Sequence, residues 1–177
     1  MIHGYATIGD IFDVAMRMRE RDYEEIVCTT YAKDRYELAD ILARSWSQSP
    51  ATYVFGTKEL GRIACLTLTV ERPGVWNLGL FATDKLESIG KSLTKHVIKD
   101  IIPLLDKAEA HRVEAQSIVG YEEVHNWLQF FGLRKESVLK KYGRNGEDFV
   151  NFAWTREGNG KAKWQPGKVD ILQGKGD

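Results

Sequence analysis

Polar and apolar residues alternate through the middle of the chain and recur at helical spacing on either side of it. Near the start, residues 5–8 (Tyr5, Ala6, Thr7, Ile8) read as a short strand. Asp10 then reads as the cap of a helix that turns Ile11, Val14, Ala15 and Met18 to one side and Arg17, Arg19, Glu20 and Arg21 to the other. The run Ile26-Val27-Cys28-Thr29-Thr30-Tyr31 is β-prone but short, which leaves both strand and helix open. Asp34 opens a second amphipathic helix with Leu38, Ile41, Leu42 and Trp46 inward, and Ser47-Gln48-Ser49-Pro50 ends it.

Three strands are predicted next, over 51–56, 62–71 and 75–82. Lys58-Glu59-Leu60-Gly61 turns between the first two and Arg72-Pro73-Gly74 between the others. In the second strand Ile63, Cys65, Thr67 and Thr69 share one face, and Ala64, Leu66, Leu68 and Val70 the other. In the third, Trp76, Leu78 and Leu80 alternate with Asn77, Gly79 and Phe81. A glycine at position 79 inside a strand suggests a bulge or a close backbone approach.

A long helix follows. Thr83 or Asp84 can cap it, Leu86, Ile89, Leu93, Val97, Ile101 and Leu105 form its stripe, and Pro103 should kink its last turn. A strand is expected over 112–119. A short helix over 122–131 points Val124, Trp127, Leu128 and Phe131 inward and stops at Gly132. A closing hairpin joins 133–142 to 148–154 through Gly143-Arg144-Asn145-Gly146. Residues 1–156 therefore read as one domain, and 157–177 as a polar tail in which Trp164, Val169, Ile171 and Leu172 are the candidates for docking. The order predicts an α+β, or mixed α/β, layered domain. With one strand–helix–strand crossover, across 75–119, it excludes a doubly wound parallel sheet.

Composition narrows the chemistry. Twenty-five Lys and Arg balance twenty-five Asp and Glu in 177 residues, which argues against a dedicated nucleic-acid binder. Lys140, Lys141, Lys161, Lys163 and Lys168 are the basic positions that could touch an anionic partner. Cys28 and Cys65 are too few for a disulfide framework or a four-ligand zinc site, read as buried thiols, and suit a reducing compartment. The first residues lack a basic segment followed by an apolar run, so no secretory signal is expected, and no apolar stretch approaches the ~20 residues of a membrane span. His3, His96, His111 and His125 lack metal-ligand spacing, so no metal is expected. His96 and His111 read as exposed and His125 as structural. Trp46, Trp76 and Trp127 read as core or cleft wall.

The chemically informative segment runs from Leu78 to Leu93, a strand leading through a short loop to a helix start. Free N–H groups at such a start suit a phosphate. Gly90-Lys91-Ser92 invites a P-loop reading, but the glycine that motif needs at position 85 is Lys85, and the triplet lies inside the helix.

The layout resembles the GNAT superfamily of N-acetyltransferases over roughly residues 5–156. In that family the fourth strand leads to an Arg/Gln-x-x-Gly-x-Gly/Ala loop that holds the pyrophosphate of coenzyme A. Here the loop is Glu87-Ser88-Ile89-Gly90-Lys91-Ser92, with Glu87 at the Arg/Gln position. The stretch from Tyr121 to Leu133 resembles the family's helix-then-Gly-aromatic segment, with Leu128 where many members carry a tyrosine general acid. The stretch Tyr142-Gly143-Arg144-Asn145-Gly146-Glu147-Asp148-Phe149 resembles its final hairpin.

The resemblance implies a mostly antiparallel sheet, a parallel pair splayed at strands 4 and 5, and helices on both faces. It implies acetyl-CoA in the gap, its arm against Leu80, Phe81 and Ala82 and its pyrophosphate on Ser88, Ile89, Gly90, Lys91 and Ser92. An amine would attack the thioester after losing a proton. The base candidates are Glu25, Glu71 and Glu114, each otherwise a surface acid. Tyr121 and Tyr142 are the candidates to replace the missing acid.

Within the superfamily the chain looks like small GNAT-like proteins of short-tailed bacteriophages, including internal virion proteins. The residues concerned are Ile11, Val14, Ala15, Met18, Arg19, Asp22, Glu25 and Ile26, then Phe81, Thr83 and Asp84, then Val119-Gly120. This implies a phage product in the host bacterial cytoplasm or the virion. Two functions are expected: an acetyl-CoA-dependent N-acyltransferase acting on a small-molecule or protein amine of the host, or, given Glu87 and Leu128, a catalytically degenerate module that binds a host or virion protein.

Overall fold

The structure is a computed structural model that describes residues 2–157. The tail from 158 onward, with its proposed docking residues, lies outside the described residues. The first strand, β1 (Ile2–Tyr5), sits earlier than the 5–8 pattern suggested, because Thr7 is taken by a helix cap. Its Oγ1 accepts the Asp10 N–H at 3.2 Å while the Asp10 carboxylate accepts the Thr7 N–H at 2.8 Å. This reciprocal capping box starts α1 (Ile8–Met16) before Asp10, which lies inside the first turn.

The ambiguous run 26–31 resolves as the end of α2 (Glu20–Val27) and the turn after it. Burial of Val27 among the α1 and α3 side chains, with Cys28 buried beside it in sequence, overrides β propensity there. Asp34 caps α3 (Arg35–Trp46) as expected, accepting the Glu37 N–H at 2.8 Å.

One seven-stranded sheet follows the order β1-β2-β3-β4-β5-β7-β6. Its other strands are β2 (Ala51–Thr57), β3 (Gly61–Arg72), β4 (Val75–Ala82), β5 (Arg112–Ile118), β6 (Arg134–Leu139) and β7 (Phe149–Thr155). Every neighbouring pair is antiparallel except β4–β5. Gly79 does mark a close approach, but by a side chain: a Cβ there would stand 2.9 Å from the Trp46 ring, which packs on Phe81. The register shifts fall instead at Phe55/Gly56 in β2, Val70/Arg72 in β3 and Lys135/Ser137 in β6.

Both faces of the sheet are covered. On one, Cys65 and Phe81 pack with Ile11, Val14, Leu38 and Leu42 of α1 and α3. On the other, Leu66, Leu68, Val113 and Phe152 pack with the crossover helices and with α6 (Glu122–Phe130).

The crossover is less uniform than its stripe suggested. A 3-10 turn (Leu86–Ser88) precedes α4 (Gly90–His96), a π-helical turn (Val97–Ile101) follows, and α5 (Ile102–Lys107) carries Pro103. Ile89, Leu93, Val97, Ile101 and Leu105 are all buried, at a constant step of four. That step outruns the 3.6-residue turn of an α-helix, and the wider π turn restores its phase just before the proline, which has no N–H to donate. His96, expected to be exposed, is buried against His3, Tyr53 and Phe55.

Cys28 and Cys65 are buried free thiols, and burial pushes the Cys28 thiol up to about 11. Among the described residues no helix is long and apolar enough to cross a membrane, and no group of three or more His, Cys, Asp or Glu could hold a metal.

Candidate functional site

β4 and β5 pair at three positions only: Val75 with Arg112, Trp76 with Val113, and Asn77 with Glu114. Beyond that rung the parallel strands separate into a wedge. Strand alternation puts the peptide of Leu80 on the same side as that of Ala82, facing the gap. At the apex the Asn77 side-chain amide donates to Gln116 Oε1 at 3.1 Å, and Gln116 donates to Asn151 Oδ1 at 2.7 Å. Asn151 continues to Glu136, which Arg112 grips together with Glu114. The hydrogen bonds that Arg112 donates to Glu136 and then to Glu114 hold its guanidinium more firmly protonated. Glu114 is thus an ion-paired residue at the narrow end.

The open end is spanned by the start of α2. The Arg19 N–H donates to the Ala82 carbonyl at 2.8 Å, and Asp22 Oδ2 accepts the Ala82 N–H at 2.8 Å. Asp22 Oδ1 accepts from the Tyr121 hydroxyl at 2.7 Å and from Arg19 Nε at 2.9 Å. One helical turn on, Glu25 Oε2 accepts the Ile118 N–H at 2.9 Å and the Ser117 hydroxyl at 2.8 Å. Asp22 therefore holds the end of β4, and Glu25 holds the end of β5.

Burial raises the Asp22 pKa despite Arg19, Tyr121 and Ala82. It pushes Glu25 up to about 7 against the opposing hydrogen bonds from Ile118 and Ser117. Burial, then the bond to Asp22, drives the Tyr121 hydroxyl far above the ordinary phenol range. The guanidiniums of Arg19 and Arg21 lie 5.4 Å and 5.2 Å from the Tyr121 ring centre.

The third side of the site is the start of α4, which no side chain caps. The Ser88 and Ile89 N–H groups already donate to the Lys85 and Leu86 carbonyls. Those of Gly90, Lys91 and Ser92 are the first of the helix and point along its axis. A Cβ at Gly90 would meet nothing within 4 Å, so packing does not require glycine there. Lys91 and Glu87 are exposed, and Ile89 is buried. Thr83 Oγ1 accepts the Lys85 N–H at 3.3 Å, serving the turn before the helix rather than the helix itself.

The structure thus gathers Leu80, Phe81, Ala82, Glu25, Glu114 and Tyr121 around the wedge, with Ser88 to Ser92 beyond the end of β4. Phe81 is fully buried, its ring packed on Trp46 in the α1–α3 cluster on one face of the sheet. Glu71 lies elsewhere, exposed at the end of β3 beside the turn where β4 begins. Tyr142 is half exposed against Phe149 in the closing hairpin. Leu128 is buried in the core, and the buried His125 pairs its Nε2 with the Ile118 carbonyl at 3.1 Å. Sequence reading did not single out Arg19, Asp22, Asn77 or Gln116 for the site. The one available signal was an acid at position 22, four residues after Met18 and four before Ile26.

No protein-family model and no curated protein matches the chain. Solved structures do. A ribosomal-protein-S5-alanine acetyltransferase from Vibrio fischeri matches with a TM-score of 0.61 at 17% identity, over 93% of this chain and 94% of that one. A ribosomal-protein-alanine N-acetyltransferase from Brucella melitensis matches with 0.63 at 14%, over 88% and 99%. An N-acetyltransferase from Staphylococcus aureus Mu50 matches with 0.63 at 13%, over 87% and 97%. The chain has the GNAT fold. Its mostly antiparallel sheet, parallel β4–β5 pair and two-sided helical cover are those the sequence implied.

Proposed function

We propose that the chain is an acetyl-CoA-dependent N-acyltransferase of GNAT type. The observation that carries this reading is the parting of β4 from β5 after the Asn77–Glu114 rung, followed by the uncapped, glycine-led start of α4.

The residues fit the coenzyme at one end. The N–H groups of Gly90, Lys91 and Ser92 would hold its pyrophosphate, with Ser88 and Ile89 shaping the turn, and the open space at Gly90 suits a close diphosphate. The Leu80 peptide would pair with the arm. At Ala82 both gap-side backbone atoms are already bonded to Arg19 and Asp22. When bound, the coenzyme supplies an activated thioester. The chain's own part is to exclude water and to take the acceptor's proton. Of the base candidates Glu25, pushed up to about 7 by burial while α2 is docked, stands at the open end of the wedge in the coenzyme-free chain and would accept that proton from the mouth of the gap. Glu114 and Tyr121 border the same space, each held by a partner; Glu71 and Tyr142 lie outside it. The acceptor is an amine, and the setting that the sequence resemblance supports is a bacteriophage product acting on a host amine in the bacterial cytoplasm or in the particle.

Two observations favour a second reading, a catalytically silent scaffold that binds a host or virion protein. Both gap-side atoms of Ala82 are occupied, and the core residue Leu128 has no proton to give. Calorimetric titration with acetyl-CoA, followed by acetyl transfer to a panel of primary amines, separates the two. Binding with turnover supports the enzyme. Binding without turnover, or no heat at millimolar ligand, supports the scaffold.

A further inference from the structure

The segment from Arg19 to Glu25 makes, at the open end of the wedge, the hydrogen bonds that a neighbouring strand would otherwise make. Arg19 and Asp22 satisfy the carbonyl and the N–H of Ala82, and Glu25 satisfies the N–H of Ile118 on the other arm. We propose that α2 is a displaceable plug that competes with the coenzyme's arm for the wedge, so that binding requires Asp22 to let go of Ala82. This rests on the coenzyme reading above and adds a regulatory step to the same site.

Three features of α2 suit it to leave. It has eight residues, and no side chain caps it. An isolated helix of that length is marginal in water. Of its residues only Asp22 and Val27 are buried; Val27, with Tyr23 and Ile26, packs on the α1–α3 cluster, while its hold on the ends of β4 and β5 is made by hydrogen bonds. Hydrogen bonds exchanged with water return little net stability, and segments attached this way are the ones that open locally. Third, its two anchoring carboxylates are both more easily protonated when docked than when free, because burial outweighs their partners. The docked state therefore holds charge that water would solvate better. An extended arm with alternating amide N–H and C=O groups can offer Ala82 the same bonds, but only one of the two occupants can make them at a time. The apparent affinity for the coenzyme is then lowered by the fraction of molecules in which α2 is undocked.

The test measures acetyl-CoA affinity by calorimetry for the wild-type chain and for Asp22→Ala, and follows amide hydrogen exchange at Ala82 and Ile118 in the wild type with and without acetyl-CoA. The plug predicts at least about tenfold tighter binding by Asp22→Ala. It also predicts that saturating acetyl-CoA exposes the Ile118 amide while Ala82 stays protected. Equal affinities with Ile118 protected throughout overturn the plug and leave the coenzyme reading standing. Absence of binding by both proteins, with Asp22→Ala folded, overturns the coenzyme reading and the plug with it. If Asp22→Ala does not fold, exchange at Ile118 in the wild type decides alone: exposure on saturation supports the plug, and continued protection or no binding overturns it.

Discussion

The Asp22 carboxylate accepts the Ala82 N–H at 2.8 Å across 60 positions of sequence, and its other oxygen accepts the Tyr121 hydroxyl. One side chain of α2 thereby fixes the end of β4 to the residue just before α6. Tyr121 serves this junction as a donor, and its phenol proton is held more tightly than usual.

Tyr121→Phe should therefore cost about 1 kcal/mol of stability, the worth of one hydrogen bond to a carboxylate whose other donors remain. Because that bond helps hold Asp22 in place, acetyl-CoA affinity should stay the same or rise by up to about fivefold. Denaturant unfolding together with calorimetry checks both. A large loss of acetyl transfer with unchanged stability would instead make Tyr121 a proton donor in the reaction.

Glu25 gives a pH dependence with a definite direction. Its carboxyl titrates at about 7 in the folded chain against 4.5 as the ordinary value, so the folded state binds the proton more tightly. The stability this confers is fully present below pH 4.5 and is lost as pH rises through 7. The loss should be roughly 3 kcal/mol. Glu25→Gln keeps an acceptor for Ile118 and Ser117 without the buried charge. It should unfold at a higher denaturant midpoint than wild type at pH 8, with the gap closing at low pH. Parallel pH profiles for the two proteins would refute this.

Gly90→Ala separates folding from ligand binding. The added methyl meets nothing within 4 Å, and alanine is the better helix former by ~0.5–1 kcal/mol. The melting temperature should hold or rise, while acetyl-CoA affinity should fall at least about tenfold as the methyl enters the space assigned to the diphosphate. Unchanged affinity would remove Gly90 from the site.

Gly79→Ala should do the reverse and damage the fold, because its Cβ would stand 2.9 Å from the Trp46 ring and 3.1 Å from the Thr67 methyl. The expected cost is about 1–3 kcal/mol. In a Trp46→Ala background most of that cost should vanish, as a double-mutant cycle would show. Equal penalties in both backgrounds would mean that Trp46 is not what crowds Gly79.

The parts of this structure that follow from neighbours in sequence were legible before it. β4 spans Val75–Ala82 as its alternation predicted, and Asp34 caps α3. The strand and loop that flank the wedge could be placed for the same reason, but the pattern puts the helix start at Thr83 or Asp84 with Gly90 inside it, whereas α4 begins at Gly90 after a separate turn. What could not be read was set by partners far along the chain. Nothing near Glu25 announces Ser117 or Ile118, and nothing near Asp22 announces Ala82. His96 falls on a charged stretch of helix and is buried only because His3, Tyr53 and Phe55 come to meet it. Local propensity also misled where tertiary burial won, as at Ile26 and Val27, which end a helix despite their β-branched side chains.

The most direct test of the wedge as a coenzyme site is an amide chemical-shift titration of the isotope-labelled wild-type chain with acetyl-CoA. Saturable shifts confined to Leu80–Ala82, Ser88–Ser92, Ile118 and the α2 amides near Asp22 and Glu25 are the predicted result. Shifts at none of these positions at millimolar acetyl-CoA, from a chain that remains folded, would contradict the account.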